Sequence, residues 1–428
     1  MLLSRSLGMN KVNGSTGSEK LRVLFLATYF PKPGNPTMGT WALEQAKALQ
    51  RQPVDLRVVS FSSWIPGAAA WTRGARAYAE CPPTFRWDGL DVEYPRWLAY
   101  PIAPISRMTY RYPRIQTVLG WWSARSFLLR VIQEWRPHLV YAHHTLTNGS
   151  LAWHCREHFG TPYVVTDHDL GEIWDCGRFP SRWDEMARVV RGAFRILSVS
   201  KRMEQVLQEQ FPFSRTETLY NGTNAIPEEI LSAPRPEERR RQLVIFSAGM
   251  FYQRKGFPLL IEAFAEATRD KKEAQLRIAG DGPARAEIEA AIERSGLRGR
   301  VHLLGALPHR QVLQEMVWAD AFALMGWDEP FGVVFAEALA AGCPIVLASD
   351  SGAAELIEHR KHGLHVAPRD VRAGADALKE VLRDRDFAGR LGAAGQALWS
   401  SRLTWDSNAA ALVSLFRDAI REQGGYGS

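Results

Sequence analysis

Cysteine is scarce and unpatterned. Cys81, Cys155, Cys176 and Cys343 form no C-x-x-C pair and have no histidine at zinc-finger spacing. Neither a disulfide scaffold nor a structural zinc site is indicated, and a reducing cytoplasm fits. Long apolar runs are missing too. The most apolar stretch, 333–348, is interrupted by Glu337, Gly342 and Pro344 and falls short of the ~18 uninterrupted residues of a spanning helix. Residues 1–20 are polar and Gly/Ser-rich without a signal-peptide core, and read as a disordered lead-in. No homeodomain, zinc-finger or RNP pattern occurs, so nucleic acid is not an expected partner.

What is present is globular: 428 residues, 46% hydrophobic and 23% charged, too many for one ordinary core and enough for two domains. Short runs rich in Val, Ile and Leu lie at 22–27, 54–60, 139–142, 163–166, 196–199 and 217–219. A second set lies at 243–247, 275–279, 301–304, 321–324, 345–347 and 364–366. Each run leads into a polar or Gly-containing loop and then a helical pattern, as in parallel sheets with crossover helices. The expected fold class is α/β, with two doubly wound domains facing a cleft. The first covers 21–225 and the second 243–403, joined by a linker at 226–242 that carries Pro227, Pro234 and Pro236 among dense charge. Ligands on such sheets bind at the carboxyl ends of the strands, so the loops there are the places to search.

The formal net charge of +7 is unevenly spread. Residues 1–225 hold 27 Lys and Arg against 18 Asp and Glu, and the remainder holds 26 against 28. Much of the excess falls in 96–136, where seven arginines meet the single acid Glu134 among eight aromatics. Interleaved Arg and Trp suit a membrane interface, so peripheral contact with an anionic membrane is expected there. The plainer reading is a helix with aromatics in the core and arginines in solvent.

In the second domain Arg254 and Lys255 stand beside Gly256 just after the first strand run. Gly280-Asp281-Gly282-Pro283 follows another run and opens a helix, but Arg285 takes the place of the third glycine of G-x-G-x-x-G, so a tight turn near a nucleotide is expected rather than a dinucleotide fingerprint. The sharpest segment is Glu329-Pro330-Phe331-Gly332-Val333, followed by Glu337 and then Ala338-Leu339-Ala340-Ala341-Gly342. A helix is expected over 333–341, its unpaired N–H groups and positive dipole end offering a phosphate site.

This Glu-Pro-Phe-Gly segment, with seven residues between its glutamates, resembles the family-4 retaining glycosyltransferases of the GT-B fold (glycosyl transferases group 1). Lys255-Gly256, Gly280-Asp281-Gly282-Pro283, Trp318-Ala319-Asp320, Ser351-Gly352-Ala353-Ala354-Glu355 and His362-Gly363 occur in the same order. The resemblance implies two Rossmann-like domains and a nucleotide-diphosphate sugar as co-substrate, with no further cofactor. It implies that Lys255 contacts the diphosphate, that the backbone of Phe331, Gly332 and Val333 binds phosphate and sugar, that Glu329 addresses the sugar and that Glu337 holds the ribose. Gly282 belongs to the turn near the nucleotide. Met250 stands where the family usually has Arg, and Arg254 is the expected partial substitute.

In the first domain, Gly39 in the Pro/Gly loop after the first strand is the best match to the family glycine that approaches the donor phosphate, with Gly34 the second candidate. His168 matches a family histidine facing the donor sugar, and His143 and His144 match the segment lining the acceptor side. Asp167-His168-Asp169 is also a D-x-D, but a lysine and a helix dipole already supply positive charge, and no metal is expected. After Thr404 the last helix is expected to cross back to the first domain, as the GT-B fold implies. The expected activity is retaining transfer to a glycan, lipid-linked or small-molecule acceptor in polysaccharide or glycolipid synthesis, at the cytoplasm or the inner face of the plasma membrane. A nucleotide-sugar epimerase and a donor-binding subunit of reduced activity remain the alternatives.

Overall fold

The computed structural model describes residues 20–99 and 105–425. Residues 1–19 of the expected lead-in therefore lie outside the described residues, as do 100–104 of the arginine-rich segment. The chain forms two main sheets. In space the first runs Thr216–Thr218, Arg195–Ser198, Tyr163–Asp167, Leu139–His143, Leu21–Leu26, Val54–Val59, Leu90–Glu93 and Thr84–Trp87. All neighbours are parallel except the last pair. Strands such as Leu139–His143 and Tyr163–Asp167 are buried along their whole length, which is why they read as continuous apolar runs.

The antiparallel hairpin Thr84–Trp87 with Leu90–Glu93 was not expected. Its edge strand is mostly exposed and carries no apolar run. The legible signal was Asp88-Gly89, whose φ angles of 44° and 91° meet the positive-φ demand of a two-residue hairpin turn.

The second sheet runs Val301–Gly305, Ala274–Ala279, Leu243–Ala248, Ala321–Leu324, Ile345–Ala348 and Leu364–Val366, parallel throughout. In both sheets the first strand of the domain lies between the strand that follows it and one reached by a long crossover. That reversal opens a crevice at the carboxyl ends of the two central strands. In the first domain it lies between Leu21–Leu26 and Leu139–His143, and in the second between Leu243–Ala248 and Ala321–Leu324.

The last helix, Trp405–Gly425, lies against the Thr40–Gln50 helix of the first domain. Its Trp405, Leu412 and Phe416 join the core of that domain beside Phe25 and Tyr141. Burying one such side chain contributes about 1.5–3 kcal/mol, so this apolar face accounts for where the chain ends up. Among the described residues no helix is long and apolar enough to cross a membrane.

Candidate functional site

The loop after Leu243–Ala248 makes a single helical turn at Gln253–Lys255. It delivers two cations to one acceptor: Lys255 Nζ lies 2.6 Å and Arg254 Nη1 2.9 Å from the same Oε2 of Glu329. Glu329 itself is buried at 8% exposure. Burial works to raise its carboxyl, but the charges of Lys255 and Arg254 outweigh that and hold it below the ordinary glutamate range. The Arg254 side chain is 41% exposed against 12% for Lys255, so Arg254 is the cation with reach to spare. A backbone bond from Trp327 N to Arg254 O ties the two loops together.

Helix Val333–Ala340 starts from Gly332 in the left-handed region, with no side-chain cap. A Cβ on Gly332 would meet the Phe335 ring at 2.8 Å, so the bare turn is required; Phe335 N donates back to Gly332 O at 2.9 Å, and the N–H groups of Val333 and Val334 are the ones a ligand could take. Phe331 is buried at 2%, its ring centroid 6.0 Å from that of Tyr220. Glu337 accepts a 2.7 Å bond from His309 Nε2, and this carboxylate lifts the imidazole above its ordinary range. A cavity of about 720 Å³ lies beside these loops, lined by Gly249, Met250, Gly280 and Gly282 and by Thr37 of the first domain.

The opposite wall is built from the loop after Leu21–Leu26. Gly39 has φ 66° and a Cβ there would sit 2.2 Å from Tyr29 O, so only glycine lets the loop fold back before helix Thr40–Gln50. Tyr29 stacks on Trp41 at 5.7 Å, and Trp41 lies 5.9 Å from His168. His168 is half-buried, and burial together with the neighbouring histidines holds it well below 6.5, so it is neutral at physiological pH. His144 sits beside it in a strained conformation (φ 67°, ψ 130°), the kind of backbone cost that clusters at ligand sites.

His143 needs correction. Expected on the acceptor wall, it is 1% exposed and lies behind His168, with Nδ1 3.1 Å from His168 Nε2. Its strand is buried on both faces, so the ring has no route to the cleft. The D-x-D carboxylates are also engaged: Asp167 accepts from Thr145 N and Oγ1 and from His168 N, and Asp169 caps helix Leu170–Arg178. Among the described residues no cluster of three or more His, Cys, Asp or Glu is placed to hold a metal ion.

Glu355 stood in a matching motif without a role, and Arg202, Asp350 and Tyr252 carried no sequence signal. Glu355 of the second domain accepts 2.8 Å bonds from the N–H groups of Lys201 and Arg202, capping the first-domain helix Lys201–Gln210. The Arg202 guanidinium in turn reaches Asp328 and Asp350. Tyr252 comes close enough across the cleft to add, after burial, to the upward shift of the Tyr29 phenol.

Two family models match: Glycosyltransferase Family 4 over residues 38–225 and Glycosyl transferases group 1 over 231–398. A GDP-mannose-dependent alpha-(1-6)-phosphatidylinositol monomannoside mannosyltransferase of Mycobacterium tuberculosis is 36% identical over 177 residues, covering 39% of this chain and 46% of that protein. The match thus spans about half the length of that relative. An uncharacterized glycosyltransferase of Methanocaldococcus jannaschii is 27% identical over 68% of this chain and 75% of its own. Among solved structures, sucrose-phosphate synthase from Thermosynechococcus elongatus superposes with TM-score 0.73 at 19% identity over 94% of this chain and 100% of that one. Anabaena HepE, solved with UDP and glucose, gives 0.67 at 20% over 93% and 100%. With the two models meeting at the linker and the fold matched over 94% of the chain, the chain belongs to the family-4 glycosyltransferases of the GT-B fold.

Proposed function

We propose that the protein is a retaining glycosyltransferase that moves a sugar from a nucleotide-diphosphate donor, held mainly by the second domain, to an acceptor held by the first. The observation that carries this is the convergence of Lys255, Arg254 and the uncapped start of helix Val333–Ala340 on one side of the cleft, facing Gly39 and neutral His168 on the other. Cations and N–H dipoles suit a departing diphosphate. One diphosphate oxygen takes the proton of the acceptor hydroxyl as it attacks the same face of the sugar, and no protein nucleophile is needed. Glu329 orients the sugar, Glu337 takes the ribose diol and His168 contacts the sugar. The nucleotide base occupies the cavity beside Gly282 and Met250. Because Asp167 and Asp169 are spent on local hydrogen bonds, the reading assigns no metal.

The acceptor is anionic or lipid-linked in this reading, on the cytoplasmic side, in glycolipid or polysaccharide synthesis. The basic first half supports it, as does the phosphatidylinositol-linked acceptor named for the mycobacterial relative. Helix Ile105–Arg111 exposes Ile105 and Met108 and helix Pro113–Trp135 exposes Ile115, Leu119 and Trp122 at spacings of four and three, with exposed Tyr112 at the junction between them. Arg107, Arg111, Arg114 and Arg125 are exposed on the same helices. Such exposed apolar residues with arginines suit an anionic bilayer, and co-sedimentation independent of anionic lipid would remove this part of the proposal.

The test is a thermal-shift screen of nucleotide sugars followed by a transfer assay, since a donor stabilises only the folded state. The proposal expects one donor to raise the melting temperature and to release nucleoside diphosphate in proportion to added acceptor. Conversion of the donor sugar with no acceptor and no diphosphate release points to epimerisation instead.

A further inference from the structure

Behind His168 runs a hydrogen-bond chain whose direction is fixed at its far end by a group that accepts only. Asn408, on the last helix, donates through Nδ2 to the backbone carbonyl of Tyr220 at 2.8 Å. A carbonyl oxygen has no proton to give, so the Asn408 amide has one possible orientation and its Oδ1 is an acceptor. Gln45 on helix Thr40–Gln50 must then donate to Oδ1 through Nε2, at 2.8 Å. Its own Oε1 is left to accept from Tyr141 OH at 3.0 Å and from His143 Nε2 at 2.9 Å. His143 therefore carries its proton on Nε2. As burial keeps it neutral, its Nδ1 is a bare acceptor, and the 3.1 Å contact to His168 Nε2 is a bond that His168 donates.

We propose that Gln45 and Asn408 are positioning residues that lock His168 as its Nε2–H tautomer, so that His168 meets the donor sugar only as an acceptor, at Nδ1. Gln45, His143 and Asn408 are all buried, so solvent does not scramble the chain. The sugar hydroxyl that reaches His168 must donate its proton to Nδ1, which selects a donor presenting a free hydroxyl there over one deoxygenated or methylated at that position. Asn408 stands 363 residues from Gln45 in sequence, so the return of the last helix to the first domain becomes part of the site. The sugar contact rests on the proposed transferase reading; the tautomer does not.

Long-range 15N–1H spectra of histidine-labelled full-length protein read the tautomers directly, with His143→Gln and His168→Gln variants for assignment. Both rings are expected as Nε2–H in the wild type. Nδ1–H at His168 in the wild type overturns the inference, whatever the variants do. In Gln45→Met and Asn408→Leu the His168 signal is expected to become a tautomer mixture. Turnover should fall about tenfold, with donor KM within twofold. Unchanged tautomers in both variants also overturn it. Correct tautomers in a protein that transfers no sugar overturn the transferase reading and the sugar contact with it.

Discussion

Replacing Glu329 with Gln separates the two jobs assigned to that side chain. In the free protein its carboxylate partly neutralises Lys255 and Arg254, through contacts of 2.6 and 2.9 Å to one oxygen. A diphosphate seated on the other side of Lys255 lies about 5 Å from that carboxylate. Two unit charges at this distance repel by about 0.8 kcal/mol at the dielectric of water and about 3 kcal/mol at an effective value of 20. Glutamine keeps the shape and an acceptor oxygen but removes the charge. Glu329→Gln should therefore bind a nucleoside diphosphate, the donor without its sugar, roughly 4- to 150-fold more tightly. Isothermal titration calorimetry at low and moderate salt measures this, and the gain should shrink as salt rises. Sugar transfer should fall in the same variant, because the carboxylate that orients the sugar is gone. Unchanged or weaker diphosphate binding would refute the reasoning, since it would mean that the two cations do not face the phosphate.

Three further outcomes follow from other contacts. His309 is lifted by its bond to Glu337, so their charged pair is complete below pH 6.5 and is lost as pH rises through the raised value; donor KM should fall over that rise, and His309→Gln should flatten the profile. Lys32 is fully buried and its ammonium is pushed down to about 8 from 10.5. The unfolded chain thus holds that proton more firmly between the two values. Wild-type stability should then gain about 3 kcal/mol relative to Lys32→Met as pH rises through this window, measured by urea unfolding, and parallel curves would contradict it. Removing the inter-domain cap with Glu355→Ala costs about 1 kcal/mol and should speed amide exchange at the start of helix Lys201–Gln210 about fivefold, with no change in the second-domain core strands.

The parallel strands were legible because residues buried on both faces leave unbroken apolar runs, and helix Val333–Ala340 was legible because Glu329 to Glu337 is one contiguous loop and helix. What joins distant parts of the chain was not. The Glu329 pairs span 74 and 75 residues, and the Asn408–Gln45 bond spans 363; no local pattern announces them. His143 read as a cleft residue because its neighbour is one, although strand geometry sends successive side chains to opposite faces. The edge strand Thr84–Trp87 was missed because its solvent-facing residues leave no apolar run, and its turn was the only sign.

The central claim is transfer with retention. Proton NMR of a reaction containing the donor found by thermal shift and a phosphorylated or lipid-linked acceptor tests it most directly. The account predicts one nucleoside diphosphate released per sugar transferred, and a product whose anomeric coupling matches that of the donor. A product of inverted configuration, or an altered donor sugar with no diphosphate released, would contradict it.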